Sequence, residues 1–186
     1  NWKNWIEVGG FDNVSLKASG YVMKTLTRLS LQNLLHPFQT FMYGQKNLMP
    51  KVAAKFGIPL IFYGESEVDY GNSISETSAL RDKYYWCVKD YNNIYLGGVS
   101  LKELKEVYNL DMKDLNLFLP PTEKQINGQH IEVRYLGHYV KWIPQEAYYY
   151  SVENTGFKAR PFRTQCTYSK YNSIDDKIDD LHSRIT

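Results

Sequence analysis

Residues 36–72 read HPFQTFMYGQKNLMPKVAAKFGIPLIFYGESEVDYGN, and the organisation of the chain follows from them. Leu48, Val52, Ala53 and Phe56 recur at the spacing of one helix face, which predicts a helix over residues 45–56. Pro50 places the regular start of that helix near itself, because a proline in the first turn loses no hydrogen bond. Gly57 stands where a helix C-cap is expected. Leu60, Ile61, Phe62 and Tyr63 then form a short apolar run that reads as a buried strand. In α/β sheets ligands gather at the carboxyl ends of strands. Here that end is followed by Gly64, Glu65, Ser66 and Glu67, with Asp69 continuing the acidic series. Such a loop is either the edge of a site or a plain acidic surface turn.

Composition sets modest bounds around this stretch. A chain of 186 residues can bury one substantial core, in one or two domains. The net charge of +2 gives no general electrostatic case for nucleic acid or a membrane surface. Sixteen tyrosines suit a sugar-contacting surface, since each ring offers an apolar face and a hydroxyl, and they equally suit half-buried packing. Cys87 and Cys166 are too far apart for a local metal pair and imply no disulfide framework. No apolar run reaches the length of a membrane helix, and no signal-peptide pattern opens the chain. The expectation is a soluble, cytoplasmic protein.

Outward from residues 36–72, the N-terminal side reads as helical. Residues 2–10 suggest a short helix stopped at Gly9-Gly10. Val22, Leu26 and Leu29 give helical spacing over residues 21–35, ended by His36-Pro37. Lys24 and Arg28 share a face of that helix, as a phosphate-holding pair or a solvated basic surface. On the other side, residues 72–83 are polar and aperiodic and read as loop, and residues 84–88 as a strand or short helix. Ser100 and Glu103 form the N-cap pattern of a helix running to about residue 108. Residues 110–119 are a second amphipathic stretch closed by Pro120-Pro121. This section has no chemistry of its own and is either a lid or structural filler. Residues 131–136 and 139–142 alternate like strands. Pro144 opens a helix closed near Gly156. Asp175, Asp176, Asp179 and Asp180 line one face of a last helix with Ser173 as N-cap, the face opposite Ile174, Ile178 and Leu181.

The pattern HPFQxFxxGQKN over residues 36–47, with IPLIFYGESEVDYGN over 58–72, resembles the N-acetyl-sugar amidotransferases of bacterial surface-glycan synthesis. These belong to the PP-loop ATP pyrophosphatase superfamily, and their products enter lipopolysaccharide O-antigen or flagellin glycans built from sugars such as pseudaminic or legionaminic acid. The likeness resumes at YLGHYVKWIPQEAYYYSVENTGF, residues 135–157, and at TYSKYNSIDDKIDDLH, residues 167–182. Two long segments in the same order make it specific. The resemblance implies an α/β fold: a partial PP-loop, doubly wound sheet with helical additions. Residues 1–75 would be the C-terminal part of the nucleotide-binding domain, 76–130 a helical insertion, and 131–186 the substrate-side strand and helices.

It further implies an enzyme that uses ATP and magnesium to convert a sugar N-acetyl group into an acetamidino group. Ammonia would come from a glutaminase partner, and the acceptor would be an N-acetylated sugar or nucleotide sugar, with no nucleic acid or membrane involved. Lys46, Arg163 and Lys170 would act in catalysis, and Tyr63, Gly64, Glu65 and Glu67 would hold the nucleotide. Glu65 and Glu67 would carry its magnesium, while His36, Gln45, Tyr168 and Ser169 would meet the sugar. The family's zinc-type cysteine cluster and its Ser-Gly-Gly-x-Asp-Ser phosphate loop do not occur in this sequence. The expectation is an incomplete chain that does not hydrolyse ATP efficiently by itself. Where the family reads Arg-Thr-Glu-Gly, this chain has Arg163, Thr164, Gln165 and Cys166, which supports Arg163 and removes an acid at Gln165. Another PP-loop ligase, such as a tRNA-modifying thiolase, and a non-catalytic sugar- or nucleotide-binding fragment are the alternative readings.

Overall fold

The computed structural model describes residues 2–64, 80–81, 83–126, 128–141, 143–164 and 168–171. Along the chain run α1 (Trp2–Gly9), α2 (Gly20–Leu34), α3 (Gln39–Phe56), β1 (Leu60–Tyr63), β2 (Leu80–Arg81) and α4 (Lys83–Trp86). A hairpin follows, β3 (Tyr95–Leu96) and β4 (Val99–Ser100), and then α5 (Leu101–Glu106), α6 (Met112–Leu115) and α7 (Glu123–Ile126). Strand β5 (Glu132–Tyr135) and helix α8 (Pro144–Thr155) complete the described elements. The architecture is mixed α/β with two small sheets, one ordered β1-β5-β2 and the other β3-β4. Two compact units divide it: Leu16–Lys141, and residues 1–15 with 142–186.

In the larger unit, β1 and β5 are parallel, with Ile61 opposite Val133 and Tyr63 opposite Tyr135. Ile61 and Val133 are buried with Ala53, Trp86, Cys87, Ile126 and Ile131 in one apolar cluster. The opposite face of these strands is not covered as the apolar run suggested, for Leu60 and Phe62 are exposed. A second cluster joins Val22, Leu26 and Leu29 of α2 to Leu96, Leu104, Leu115 and Phe118. Ser100 caps α5 as its sequence indicates, its Oγ accepting from the Glu103 N–H at 3.2 Å. The β3–β4 turn is Gly97-Gly98, with φ of +62° and +74°, as a tight hairpin turn with two positive φ angles requires.

Three further expectations need correction. Residues 80–81, read as part of a loop, form strand β2, antiparallel to β5 with Arg81 opposite Val133. Helix α3 begins at Gln39, not near Pro50, and Pro50 lies buried inside it. A proline there leaves the carbonyl four residues earlier without its helical donor. That carbonyl belongs to Lys46, and the Tyr63 hydroxyl donates to it at 2.8 Å. A side chain at the end of β1 thus supplies the bond that Pro50 cannot, and the helix continues. Residues 139–141 form no strand: a 3-10 turn over Leu136–His138 carries the chain on, and the Val140 N–H returns to the Leu136 carbonyl at 3.0 Å. Trp142 lies outside the described residues.

The Pro50–Tyr63 pairing yields a prediction. Tyr63→Phe is expected to cost about 1 kcal/mol in the native chain. In a Pro50→Ala background, where residue 50 regains an N–H for the Lys46 carbonyl, the same change costs less. A four-variant denaturation cycle measures the difference, and equal costs in both backgrounds contradict this account of the helix.

In the smaller unit, the Asn4 side chain donates to the Gly156 carbonyl at 2.8 Å, pinning α1 to the C-terminal end of α8. Gly156 closes α8 with φ of +66°, matching the expected cap. Tyr148 stacks on Tyr171 with ring centroids 4.5 Å apart, and the Tyr171 hydroxyl donates to Gln145 Oε1 at 3.1 Å. The expected acidic helix after Ser173 lies outside the described residues.

Candidate functional site

Parallel pairing brings the carboxyl ends of β1 and β5 to one edge of the sheet. There Tyr63 and Tyr135 stack with centroids 5.4 Å apart. Through its hydroxyl, Tyr63 ties this edge to Lys46 in the GQKN segment of α3. Three of the residues singled out from sequence, Lys46, Tyr63 and Gly64, therefore belong to one neighbourhood. Among the described residues nothing lies within 4 Å of where a Cβ on Gly64 would stand. Glu65 and Glu67, the expected magnesium ligands, lie outside the described residues. Among the described residues no cluster of three His, Cys, Asp or Glu side chains suits a metal.

At Lys46 the larger unit also holds a half-open cavity of about 470 Å³. One wall is α3, which contributes Gln39, Tyr43, Lys46 and Asn47. Trp86, Cys87 and Val88 form another, and the β3–β4 hairpin with its approach adds Asn93, Ile94 and Tyr95. Phe118 and Leu96 come from one apolar cluster, Trp86 and Cys87 from the other, so the cavity opens where the two meet. Lys46 is the one charged side chain among these lining residues. Burial raises the Cys87 thiol pKa above its ordinary value, which keeps it protonated and a poor nucleophile. The Trp86 Nε1–H is sealed from solvent and makes no hydrogen bond, at a cost of about 1–3 kcal/mol.

Two amides on α3 are fixed in orientation. Asn47 is 5% exposed and its Nδ2 donates to the Phe118 carbonyl at 2.6 Å. Gln39 Oε1 accepts from the Gly97 N–H at 2.8 Å. Each backbone partner dictates which end of the amide it meets, so Asn47 Oδ1 and Gln39 Nε2 are the ends left over. The sequence reading gave neither side chain a site role, although both sit inside HPFQ and GQKN; their signal was an amide at each end of one helix face.

Of the other α3 candidates, His36 sits half-buried in the turn before the helix, its ring 6.4 Å from Phe38. Gln45 is exposed on α3. Neither lines the cavity. In the smaller unit, the Arg160 N–H donates to the Lys170 carbonyl at 2.9 Å and the Thr164 N–H to the Ser169 carbonyl at 3.1 Å. These bonds lay residues 160–164 beside 168–170 and bring Arg163, Ser169 and Lys170 into one loop pair. Arg163 and Lys170 are exposed, and Tyr168 is 96% exposed.

Lys51, also on α3, donates to the Asn116 carbonyl. Burial lowers its pKa to about 8. Because the folded value lies below the usual lysine range, charging Lys51 opposes folding, and stability attributable to it rises between about pH 8 and the normal lysine pKa. At pH 8 Lys51 is expected to react with an amine-acylating reagent ahead of the solvated lysines. Peptide mass analysis reads this directly; labelling at the rate of Lys102 or Lys113 contradicts it.

No family model matches the chain, and no curated protein matches it at a significant level. No described helix is long and apolar enough to cross a membrane.

Proposed function

We propose that this chain forms the sugar-side part of an ATP-dependent amidotransferase that turns a sugar N-acetyl group into an acetamidino group. The observation that carries this reading is the bond from the Tyr63 hydroxyl to the Lys46 carbonyl. It joins the two halves of the motif-bearing stretch, GQKN and LIFYG, at the carboxyl end of a parallel strand, where α/β proteins hold their ligands. A doubly wound, PP-loop-type sheet is the fold that this reading assigns to β1 and β5.

In the reaction, the acetamide oxygen attacks the α-phosphorus of ATP and pyrophosphate leaves. Ammonia then attacks the resulting imidate carbon, and AMP departs with the former acetyl oxygen, giving the acetamidine. The residues present fit part of the task. Lys46 supplies positive charge at the cavity, and Gly64, lacking a Cβ, lets a phosphate approach the backbone closely. Arg163 and Lys170, with Tyr168 and Ser169, form an exposed basic loop pair suited to phosphate or carboxylate groups. Magnesium, when bound, neutralises phosphate charge, and Glu65 and Glu67 are the carboxylates in sequence position to hold it. A glutaminase subunit is the proposed ammonia source, and the cytoplasm, with its ATP and nucleotide sugars, the proposed location.

The Ser-Gly-Gly-x-Asp-Ser grip is not in these residues, so the assay uses the whole polypeptide that the gene encodes. With ATP, magnesium, ammonia and a panel of N-acetylated sugars and nucleotide sugars, pyrophosphate release is expected only when an N-acetyl acceptor is present. Release that ignores the acceptor, or its absence across the panel, removes the proposal.

A further inference from the structure

We infer that Gln39 and Asn47 are the residues that select the acceptor, and that the wall facing them, Trp86 to Val88 with the β3–β4 hairpin, shapes its pocket. This rests on the amidotransferase reading but assigns roles to residues outside its motif-derived candidates, and gives residues 86–98 a task that their sequence did not announce.

The argument begins with the amide atoms. Asn47 is 95% buried by its 5% exposure, lines the cavity, and has one end of its amide committed to the Phe118 carbonyl. Among the described residues no donor is paired with its Oδ1. Asn47 Oδ1 is not among the sealed, unpaired side-chain atoms of the described residues, and Asn47 lines the cavity. Gln39 repeats the arrangement in reverse. Its Oε1 is held by Gly97 and its Nε2 has no partner among the described residues. Two cavity-lining residues thus each keep one amide end uncommitted, an acceptor on Asn47 and a donor on Gln39, with the other end fixed before any ligand arrives.

The ligand chemistry follows from what lies around them. Tyr43 and Tyr95 offer aromatic surface, which suits the C–H face of a ring, with the buried Trp86 and Phe118 behind them. Lys46, as the one charged lining residue, gives too little positive charge for a triphosphate. A ring compound bearing an acylamino group satisfies the set: its N–H donates to Asn47 Oδ1, and a ring or acyl oxygen accepts from Gln39 Nε2. A hydroxyl in place of the acylamino group shortens the reach and loses the acyl contact with the aromatic wall. Discrimination between the two is therefore built into the pocket.

The test compares binding of UDP-N-acetylglucosamine and UDP-N-acetylgalactosamine with that of UDP-glucose and UDP-galactose, by calorimetry on this chain. The native chain is expected to favour an N-acetyl form about tenfold or more over its hydroxyl counterpart. Gln39→Glu keeps an oxygen for the Gly97 N–H but replaces the donor with a carboxylate; it is expected to erase that preference while the melting temperature holds. Val88→Phe, which narrows the cavity without touching either amide, is expected to weaken both N-acetyl ligands about tenfold or more. Asn47→Ala is expected to collapse the preference, with some loss of stability from the stranded Phe118 carbonyl. Absence of saturable N-acetyl-sugar binding by the native chain overturns the inference, as does an unchanged preference in Gln39→Glu. Preference lost in the variants without ATP-dependent turnover by the whole polypeptide upholds these assignments and removes the reaction. Turnover unaffected by Gln39→Glu and Val88→Phe removes the assignments and leaves the reaction standing.

Discussion

Gly97→Ala is expected to lower the melting temperature by roughly 10 °C, an effect of about 3 kcal/mol spread over a unit of this size. Two costs combine. Gly97 sits at φ +62°, where a side chain costs about 1–2 kcal/mol. Its Cβ would also stand 2.8 Å from Leu29 Cβ and 3.1 Å from both the Leu26 carbonyl oxygen and the Ser30 nitrogen. Those neighbours are the backbone and root of α2, which cannot rotate away, so overpacking adds about 1–3 kcal/mol. Gly57→Ala separates the terms, since Gly57 has φ +66° with no described residue within 4 Å; it is expected to show the conformational cost alone. Equal losses at the two positions contradict the close packing of the hairpin on α2. Because the Gly97 N–H also anchors Gln39, Gly97→Ala is expected to weaken sugar binding beyond its effect on stability.

Lys46→Ala is expected to cut the rate of acceptor-dependent pyrophosphate release by about 10²–10³, the usual loss when one charge stabiliser is removed from a reacting phosphoryl or acyl centre. Alanine favours the helix, and the carbonyl that receives the Tyr63 hydroxyl is backbone and remains, so the Pro50 compensation survives the change. Lys46→Arg preserves the charge and is expected to retain more activity than alanine. A rate loss that tracks a fall in melting temperature in both variants contradicts a direct role for the ammonium group.

The sequence spoke clearly where a single local rule governs. Gly57 and Gly156 cap helices because each needs a positive φ, and Ser100 caps α5 because its hydroxyl meets an N–H three residues on. The strand at Leu60–Tyr63 was legible as an apolar run after a helix stop. It misled about burial, since apolar side chains at 60 and 62 fall on an exposed face. The start of α3 was hidden because the bond that tolerates Pro50 comes from Tyr63, a tertiary contact that no local pattern encodes. Residues 139–141 alternate like a strand, yet the preceding 3-10 turn over Leu136–His138 sets their backbone. The cavity wall at 86–98 went unread for a related reason: its residues are aromatic, aliphatic and amide, and matter only through what α3 places opposite them. Lys46 was singled out through a motif, whereas Gln39 and Asn47 became candidates only through the Gly97 and Phe118 backbone contacts.

The most direct test of the central claim follows a nitrogen atom. The whole polypeptide is incubated with ATP, magnesium, an N-acetylated nucleotide sugar and ammonia carrying the heavy nitrogen isotope, and the sugar is analysed by mass spectrometry. The account predicts one heavy nitrogen in the sugar in place of the acetyl oxygen, with AMP and pyrophosphate formed in equal amount. An unlabelled sugar beside consumed ATP, or ADP and phosphate as the nucleotide products, contradicts it.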